Sequence, residues 1–124
     1  MARLAWVCLG GAVGSGARFL LAEWLGSRGG GVFPWPILAV NLLGCLAAGF
    51  LGACWALRSP APEVVALAVT GFLGGFTTYS AFNHGVFVLY AGGRAWLAAG
   101  YVAATVVGGL VAGLLGAGLG RWVR

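Results

Sequence analysis

Long apolar stretches alternate with short polar, glycine-containing or proline-containing segments along the whole chain. Four of these stretches reach the roughly 20 residues that a helix needs to cross a bilayer. They cover residues 4–25, 35–57, 64–90 and 95–119. The segments between them are too short for a separate domain. The pattern therefore predicts an all-α integral membrane protein with four transmembrane helices in one domain, residues 1–124.

The third stretch contains a polar tract where a spanning helix should be apolar. This tract, Gly71 to Asn83, reads GFLGGFTTYSAFN. Each glycine costs a helix about 1 kcal/mol, and β-branched residues add to the penalty, so Gly74-Gly75 followed by Thr77-Thr78 forms a poor continuous helix. Irregular backbone survives at bilayer depth only where protein covers it or a wet cavity runs past it. We predict a third helix broken near its middle, with an ion or solute site at the break.

The composition supports a membrane protein and excludes several functions. Hydrophobic residues make up 61% of the chain and charged residues 7%, and the mean hydropathy is +1.00. A soluble globule needs more polar surface than this. The net charge of +5 comes from arginines that are spread over termini and loops rather than clustered, so no nucleic-acid partner is expected.

The distribution of arginines does not define one orientation in the membrane. With four spans, one side holds Arg3, Arg58, Arg121 and Arg124, and the other holds Arg28 and Arg94, with Arg18 near it. This excess is too small for the positive-inside rule to select one orientation. Insertion both ways round is therefore compatible with the sequence.

The polar side chains within the spans suit an ion path better than an enzyme. The chain has one histidine, His84, and two carboxylates, Glu23 and Glu63, from which no nucleophile-base pair or metal-ligand cluster can be assembled. No enzyme activity is expected. Asn41 is an uncharged amide within the second span, where it either forms an interhelical hydrogen bond or contacts a transported solute.

Two further groups of residues add to this path. Tyr79 and Phe82 lie three residues apart on one helical face, and the positive edges of their rings can solvate a small anion weakly, although such pairs are more often ordinary packing. Tyr101 and Thr105 form a polar stripe on the fourth span. Arg18, near the end of the first span, either anchors the helix by snorkelling or raises the anion concentration at a vestibule.

Small residues recur at four-residue spacing in three of the spans, which lets helix backbones approach closely in lipid. The series are Gly10 and Gly14, Gly71 and Gly75, and Gly108, Ala112, Gly116 and Gly120. They indicate either tight packing within one bundle or a subunit interface.

Three segments resemble the small fluoride channels called Fluc or CrcB. They are GGAVGSGARF (Gly10 to Phe19), Val40-Asn41 followed by Leu42-Leu43-Gly44, and GFLGGFTTYSAF (Gly71 to Phe82), and the resemblance covers nearly the whole chain. The third segment is the specific one. The resemblance implies a fluoride-specific channel in the cytoplasmic membrane that exports fluoride passively. It also implies an antiparallel, dual-topology homodimer with two pores, surrounded by membrane lipids.

The resemblance also assigns roles to individual residues. The main-chain carbonyls of Gly74 and Thr77 would hold a central Na⁺ that is structural and not transported, and no organic cofactor is implied. The fluoride pathway would comprise Asn41, Tyr79, Ser80, Phe82, Tyr101 and Thr105. Arg18 matches the family arginine of the first span, at a vestibule.

The chain departs from the family pattern at several positions. Tyr79 replaces a phenylalanine, Ala81 a threonine and Gly85 a glutamate, and Pro36-Ile37 stands where Gly-Thr is common. These departures leave a heterodimer open, but they do not touch the sodium position. A small dual-topology multidrug or cation exporter and a non-transporting interaction protein are the alternative functions. The exporter needs a membrane-embedded carboxylate, and Glu23 lies too near a helix end to serve well.

Overall fold

The computed structural model describes residues 2–28 and 31–123, and it is helical apart from short connections. Four apolar helical spans follow one another, and the third is divided in two. We number the helices α1 (Ala2–Gly26), α2 (Trp35–Trp55), α3 (residues 62–76), α4 (Tyr79–Ala91) and α5 (Ala95–Trp122). All four spans are long and apolar enough to cross a bilayer, which confirms the prediction of an all-α protein with four transmembrane helices.

The third span is broken, as the sequence predicts, but the break lies just after the glycine pair. Gly74 remains helical, with φ −63° and ψ −36°, whereas Thr77 and Thr78 adopt extended backbone angles. Upstream of the break, Ala66–Leu73 is π-helical. Here the Gly74 N–H bonds to the Val69 carbonyl, five residues back, as well as to the Gly71 carbonyl. A π-helical segment next to a break is typical of a functional site.

The break changes the packing partner of the third span. Before it, α3 packs along α1; after it, α4 packs mainly against α5. The buried core on the α4 side comprises Leu38, Phe82, Leu89, Ala98 and Tyr101. Within the described residues α1 makes no comparable contact with α4 or α5, so the end of α1 that follows Gly14 diverges from the second half of the third span.

The small-residue series pack inside the chain. A side chain at Gly14 would collide with the Phe72 carbonyl oxygen on α3, and one at Gly116 would collide with the Leu46 carbonyl oxygen on α2. Such close approach suits helices in lipid, where van der Waals contact drives association. Of the two interpretations left open by the sequence, the structure supports packing within one bundle.

Candidate functional site

The break in the third span is held by the side chain of Asn41 from α2. The Asn41 Oδ1 accepts a hydrogen bond from the Thr78 N–H at 2.9 Å, and the Asn41 Nδ2 donates to the Thr78 carbonyl at 3.2 Å. The amide thus pairs with both backbone groups of one extended residue, much as a neighbouring strand would. This pairing supplies the partners that lipid cannot offer to an interrupted helix.

The same break gives other partners to the two backbone N–H groups that, in a continuous α-helix, would bond to the carbonyls of Gly74 and Thr77. In a continuous helix the Thr78 N–H would bond to the Gly74 carbonyl, and the Ala81 N–H to the Thr77 carbonyl. Instead, the Thr78 N–H goes to Asn41, and the Ala81 N–H goes to the Thr78 hydroxyl at 3.2 Å. The carbonyls of Gly74 and Thr77 therefore lose their α-helical donors. Backbone carbonyl oxygens of this kind suit a hard cation.

Thr78 also begins the second half of the span. Its hydroxyl caps the N-terminus of α4 through Ala81 and lies 3.2 Å from the Ser80 hydroxyl. The Thr77 hydroxyl, in contrast, donates back to the Leu73 carbonyl at 2.8 Å and closes the end of α3. The two adjacent threonines thus terminate one helix and start the next.

A row of aromatic rings continues from the break towards the end of α4 near Gly92. The centroids of Tyr79 and Phe82 are 5.6 Å apart, and those of Phe82 and Tyr101 are 5.2 Å apart, both in tilted arrangements. Phe33, from the loop before α2, meets the Tyr101 ring edge-on at 5.4 Å. Phe82 is 7% exposed and Tyr101 fully buried, whereas Tyr79 is 78% exposed. The Tyr79 ring therefore has one side without neighbours in the single chain.

Gly85 stands where the resemblance leads one to expect a glutamate, and the structure gives a reason for its small size. A side chain there would lie 3.1 Å from the Tyr101 Cε1 and 3.2 Å from the Pro34 Cγ. Tyr101 and Pro34 thus occupy the space beside α4 that a longer residue would need.

A cavity of about 450 Å³ opens beside the break between α2, α4 and α5. Its wall includes Asn41, Thr78, Tyr79, Phe82 and Thr105. The hydroxyl oxygens of Thr105 and Tyr101 are buried and have no hydrogen-bond partner among the described residues. Most buried hydroxyls are paired, so these two, one helical turn apart on α5, are unusual, and they are available to a polar ligand.

Most of the predicted pathway residues come together around this cavity. Asn41, Tyr79, Phe82 and Thr105 line it, Ser80 lies next to the Thr78 hydroxyl, and Tyr101 packs on Phe82. Arg18 does not join them, because it lies on the part of α1 that diverges from α4. Its buried Nε has no hydrogen-bond partner within the part of the chain that the structure describes. A vestibule role for Arg18 stays a prediction.

Sequence reasoning missed three contributors. From the sequence, Thr78 contributes only to the Thr77-Thr78 pair that disfavours a helix, and neither Phe33 nor Cys45 is assigned to the site. Cys45 lies one helical turn after Asn41, so its place on the cavity side was in principle readable from its spacing.

Comparison with known proteins identifies the group to which these features belong. The family model described as "CrcB-like protein, Camphor Resistance (CrcB)" matches residues 5–117. The chain belongs to the CrcB family. Two similar relatives, from Chloroflexus aurantiacus and Anaeromyxobacter sp. (strain K), are each named "Fluoride-specific ion channel FluC".

The CrcB relatives match over nearly their full lengths. The Chloroflexus protein is 44% identical over 118 residues, which cover 94% of this chain and 93% of the relative. The Anaeromyxobacter protein is 45% identical over 124 residues, which cover 99% and 98% of the two chains. Together with four helices able to span a bilayer, this membership makes the chain a multi-pass protein of the cell membrane.

Proposed function

We propose that this CrcB protein is a fluoride-specific ion channel that exports fluoride passively across the cytoplasmic membrane and so reduces its toxicity inside the cell. The observation that carries the proposal is the cavity beside the broken span, which Thr105 lines. Among the described residues, the buried hydroxyls of Thr105 and of Tyr101, one turn away on α5, have no hydrogen-bond partner. The names of the CrcB relatives supply the identity of the ion.

The chemistry of the cavity suits a small anion that has lost its water. An uncompensated ion in a low-dielectric interior faces a penalty on the order of tens of kcal/mol, so donors must replace the hydration shell. Hydroxyl groups on α5, the second N–H of the Asn41 amide and the ring edges of Tyr79 and Phe82 are such donors. Because they carry no full charge, they hold the ion weakly enough to release it.

The working unit is proposed to be an antiparallel homodimer of two oppositely inserted chains with two pores. Tyr79 is 78% exposed although it lines the cavity, so the single chain leaves the aromatic part of the path open on one side. A second copy packed there would close the path. This assembly also agrees with the small difference in arginine number between the two sides of the membrane. One of the arginines counted, Arg124, lies outside the described residues.

A structural Na⁺, which is not transported, is proposed at the break, held by the main-chain carbonyls of Gly74 and Thr77. These are the two carbonyls whose α-helical donors are engaged by Asn41 and Thr78. Among the described residues no group of three acidic, histidine or cysteine side chains could hold a metal, so backbone oxygens are the suitable donors. Replacing external and internal Na⁺ by N-methylglucamine should then abolish fluoride efflux, and restoring Na⁺ should recover it.

The function is tested with purified protein in liposomes loaded with potassium fluoride, with Na⁺ present on both sides of the membrane. The released fluoride is measured with an electrode after valinomycin is added. We expect rapid efflux of fluoride and none of chloride in parallel vesicles. Phe82→Ile should abolish the efflux, because it removes the buried ring of the path. Phe87→Ile is the matched control, since Phe87 lies on the same helix but is 63% exposed. Equal fluoride and chloride efflux, or none of either, would contradict the proposal.

The same vesicles distinguish a fluoride channel from the alternative transport function, a cation exporter. A proton-coupled cation exporter would show substrate movement that follows a pH gradient. Its carboxylate is difficult to place here, because Glu63 at the start of α3 lies 3.9 Å from the Arg3 guanidinium and both are solvent-accessible.

A further inference from the structure

The polar stripe on α5, formed by Tyr101 and Thr105, ends at Thr105, whereas the cavity extends one helical turn further along α5. Tyr101 and Thr105 are one turn apart, and the next residue on the same face is Gly109, which is buried and has no side chain to offer. Gly109 still lines the cavity. Beyond Thr105, therefore, α5 itself gives no hydrogen-bond donor to an ion in the cavity.

The thiol of Cys45 lies opposite this gap. Cys45 follows Asn41 by one turn of α2 and lines the same cavity. A Cβ atom built at Gly109 would lie 3.3 Å from the Cys45 Sγ, so the thiol occupies the place beside Gly109 where a side chain of α5 would lie. No hydrogen bond joins the Cys45 thiol to another described residue.

The other two cysteines have different surroundings. The Cys54 Sγ donates to the Gly120 carbonyl oxygen at 3.8 Å, which ties it to the contact between α2 and α5. Cys8 is exposed on α1. Neither residue lines the cavity beside the break, so they serve as matched controls for Cys45.

We infer that Cys45 is a pathway residue whose S–H group donates to the anion after it leaves the Thr105 hydroxyl, in place of the side chain that Gly109 lacks. The inference rests on the proposed function. A thiol is a weak donor, so it replaces part of the lost hydration without trapping the ion. Cys45 thereby sets how fast a dehydrated fluoride crosses this end of the cavity.

Three substitutions test the role through fluoride efflux from liposomes. Cys45→Ser keeps a small donor and should retain efflux within about twofold of the original protein. Cys45→Ala removes the donor and should slow efflux about fivefold, the loss expected for one hydrogen bond. Cys45→Val also fills the cavity wall with a branched apolar group and should slow efflux further. Cys54→Val and Cys8→Val should change it little.

A chemical test separates a pathway role from a packing role. Methyl methanethiosulfonate converts a thiol to a methyl disulfide, with methanesulfinate as the leaving group, and dithiothreitol reverses the change. In the Cys8→Ala/Cys54→Ala double variant it should stop fluoride efflux, and dithiothreitol should restore it. The variant that also carries Cys45→Ser should be insensitive.

The results distinguish the inference from the function on which it rests. If Cys45→Val conducts fluoride at the original rate, Cys45 is not in the path, whatever the labelling shows, and the proposed function still stands. The inference is also overturned if Cys45→Ser and Cys45→Ala slow efflux equally, because volume rather than a donor would then matter. If the unsubstituted protein moves no fluoride, it is the proposed function that fails.

Discussion

At the scale of single residues, Asn41 and Thr105 represent two kinds of buried polar group. Asn41 is bonded at both ends of its amide to the Thr78 backbone, so it contributes to the fold. The Thr105 hydroxyl is buried and has no hydrogen-bond partner in residues 2–28 and 31–123, which costs folding free energy in the absence of a ligand. Substitution of the two residues should therefore change stability in opposite directions, although both changes should reduce fluoride efflux.

Thr105→Val replaces the unpaired hydroxyl with a methyl group of similar shape. We expect stability to stay unchanged or to rise, because a buried unsatisfied oxygen is removed. Fluoride efflux should fall about fivefold or more, because a donor on the path is lost. Thermal unfolding in detergent and the efflux assay measure the two effects. Thr70→Val, on the exposed face of α3, is the control. A variant that loses stability and efflux together would show that the hydroxyl is structural.

Asn41→Leu should impair both stability and transport. It leaves the N–H and C=O of Thr78 without their partners, at a cost of about 1–3 kcal/mol for each buried group. We expect a lower midpoint in a denaturation series and loss of fluoride efflux. Asn83→Leu, at an exposed position on α4, should leave both unchanged. Full stability of Asn41→Leu would mean that other groups hold the break.

The residue-scale features differ in how far the sequence could predict them. The pairs Tyr79 with Phe82 and Tyr101 with Thr105 follow from helical spacing within one span, and each pair does lie at the site. The partner of Asn41 is 37 positions away, and only the packing of α2 against the break brings them together. A sequence shows that a buried amide needs a partner, but not which one it finds.

At the scale of helices, the break was predicted from the correct residues for an incomplete reason. From the sequence, the break is attributed to the glycine pair together with Thr77 and Thr78, and of these residues the glycine pair stays helical. Gly75 is small because a side chain there would lie 2.5 Å from the Gly11 carbonyl oxygen on α1. The interruption falls on Thr77 and Thr78. The N–H and hydroxyl of Thr77 both donate to the Leu73 carbonyl and so end α3. The Thr78 N–H donates instead to Asn41, and the Thr78 hydroxyl accepts from the Ala81 N–H and caps α4. Close packing and capping, rather than glycine propensity, place the break.

The contact between α2 and α5 leads to a prediction about stability. Gly116→Ala places a methyl group where it collides with the Leu46 carbonyl, so the helices must separate, at a cost of about 1–3 kcal/mol. Gly118→Ala is the matched control, because it is the same substitution two residues further along α5 and its added methyl group meets nothing within 4 Å. Unfolding in detergent should show a loss of stability for Gly116→Ala. For Gly118→Ala it should show unchanged stability or a small gain, because alanine favours a helix more than glycine does. Equal stability of the two variants would contradict the packing assigned to this series.

At the scale of the whole molecule, one chain leaves its site partly open. The exposed ring of Tyr79 and the many exposed leucines and valines of α5 need lipid or a second chain against them. The proposed antiparallel dimer requires equal numbers of chains in both orientations, and the near balance of arginines between the two sides permits this. Orientation in cells is therefore the decisive property of the assembly.

Orientation can be read with single cysteines placed in loops on opposite sides of the membrane. Ser27→Cys lies after α1 and Ser59→Cys after α2, and both positions are exposed. Each substitution is introduced separately into a variant in which Cys8, Cys45 and Cys54 are replaced by serine. Intact cells that produce the protein are then treated with a membrane-impermeant maleimide. Because dual insertion places every loop on both faces, we expect about half of each variant to be labelled. Permeabilised cells, in which both faces are accessible, should give full labelling. If one variant is labelled fully and the other not at all, the chain inserts in a single orientation and the antiparallel dimer is excluded.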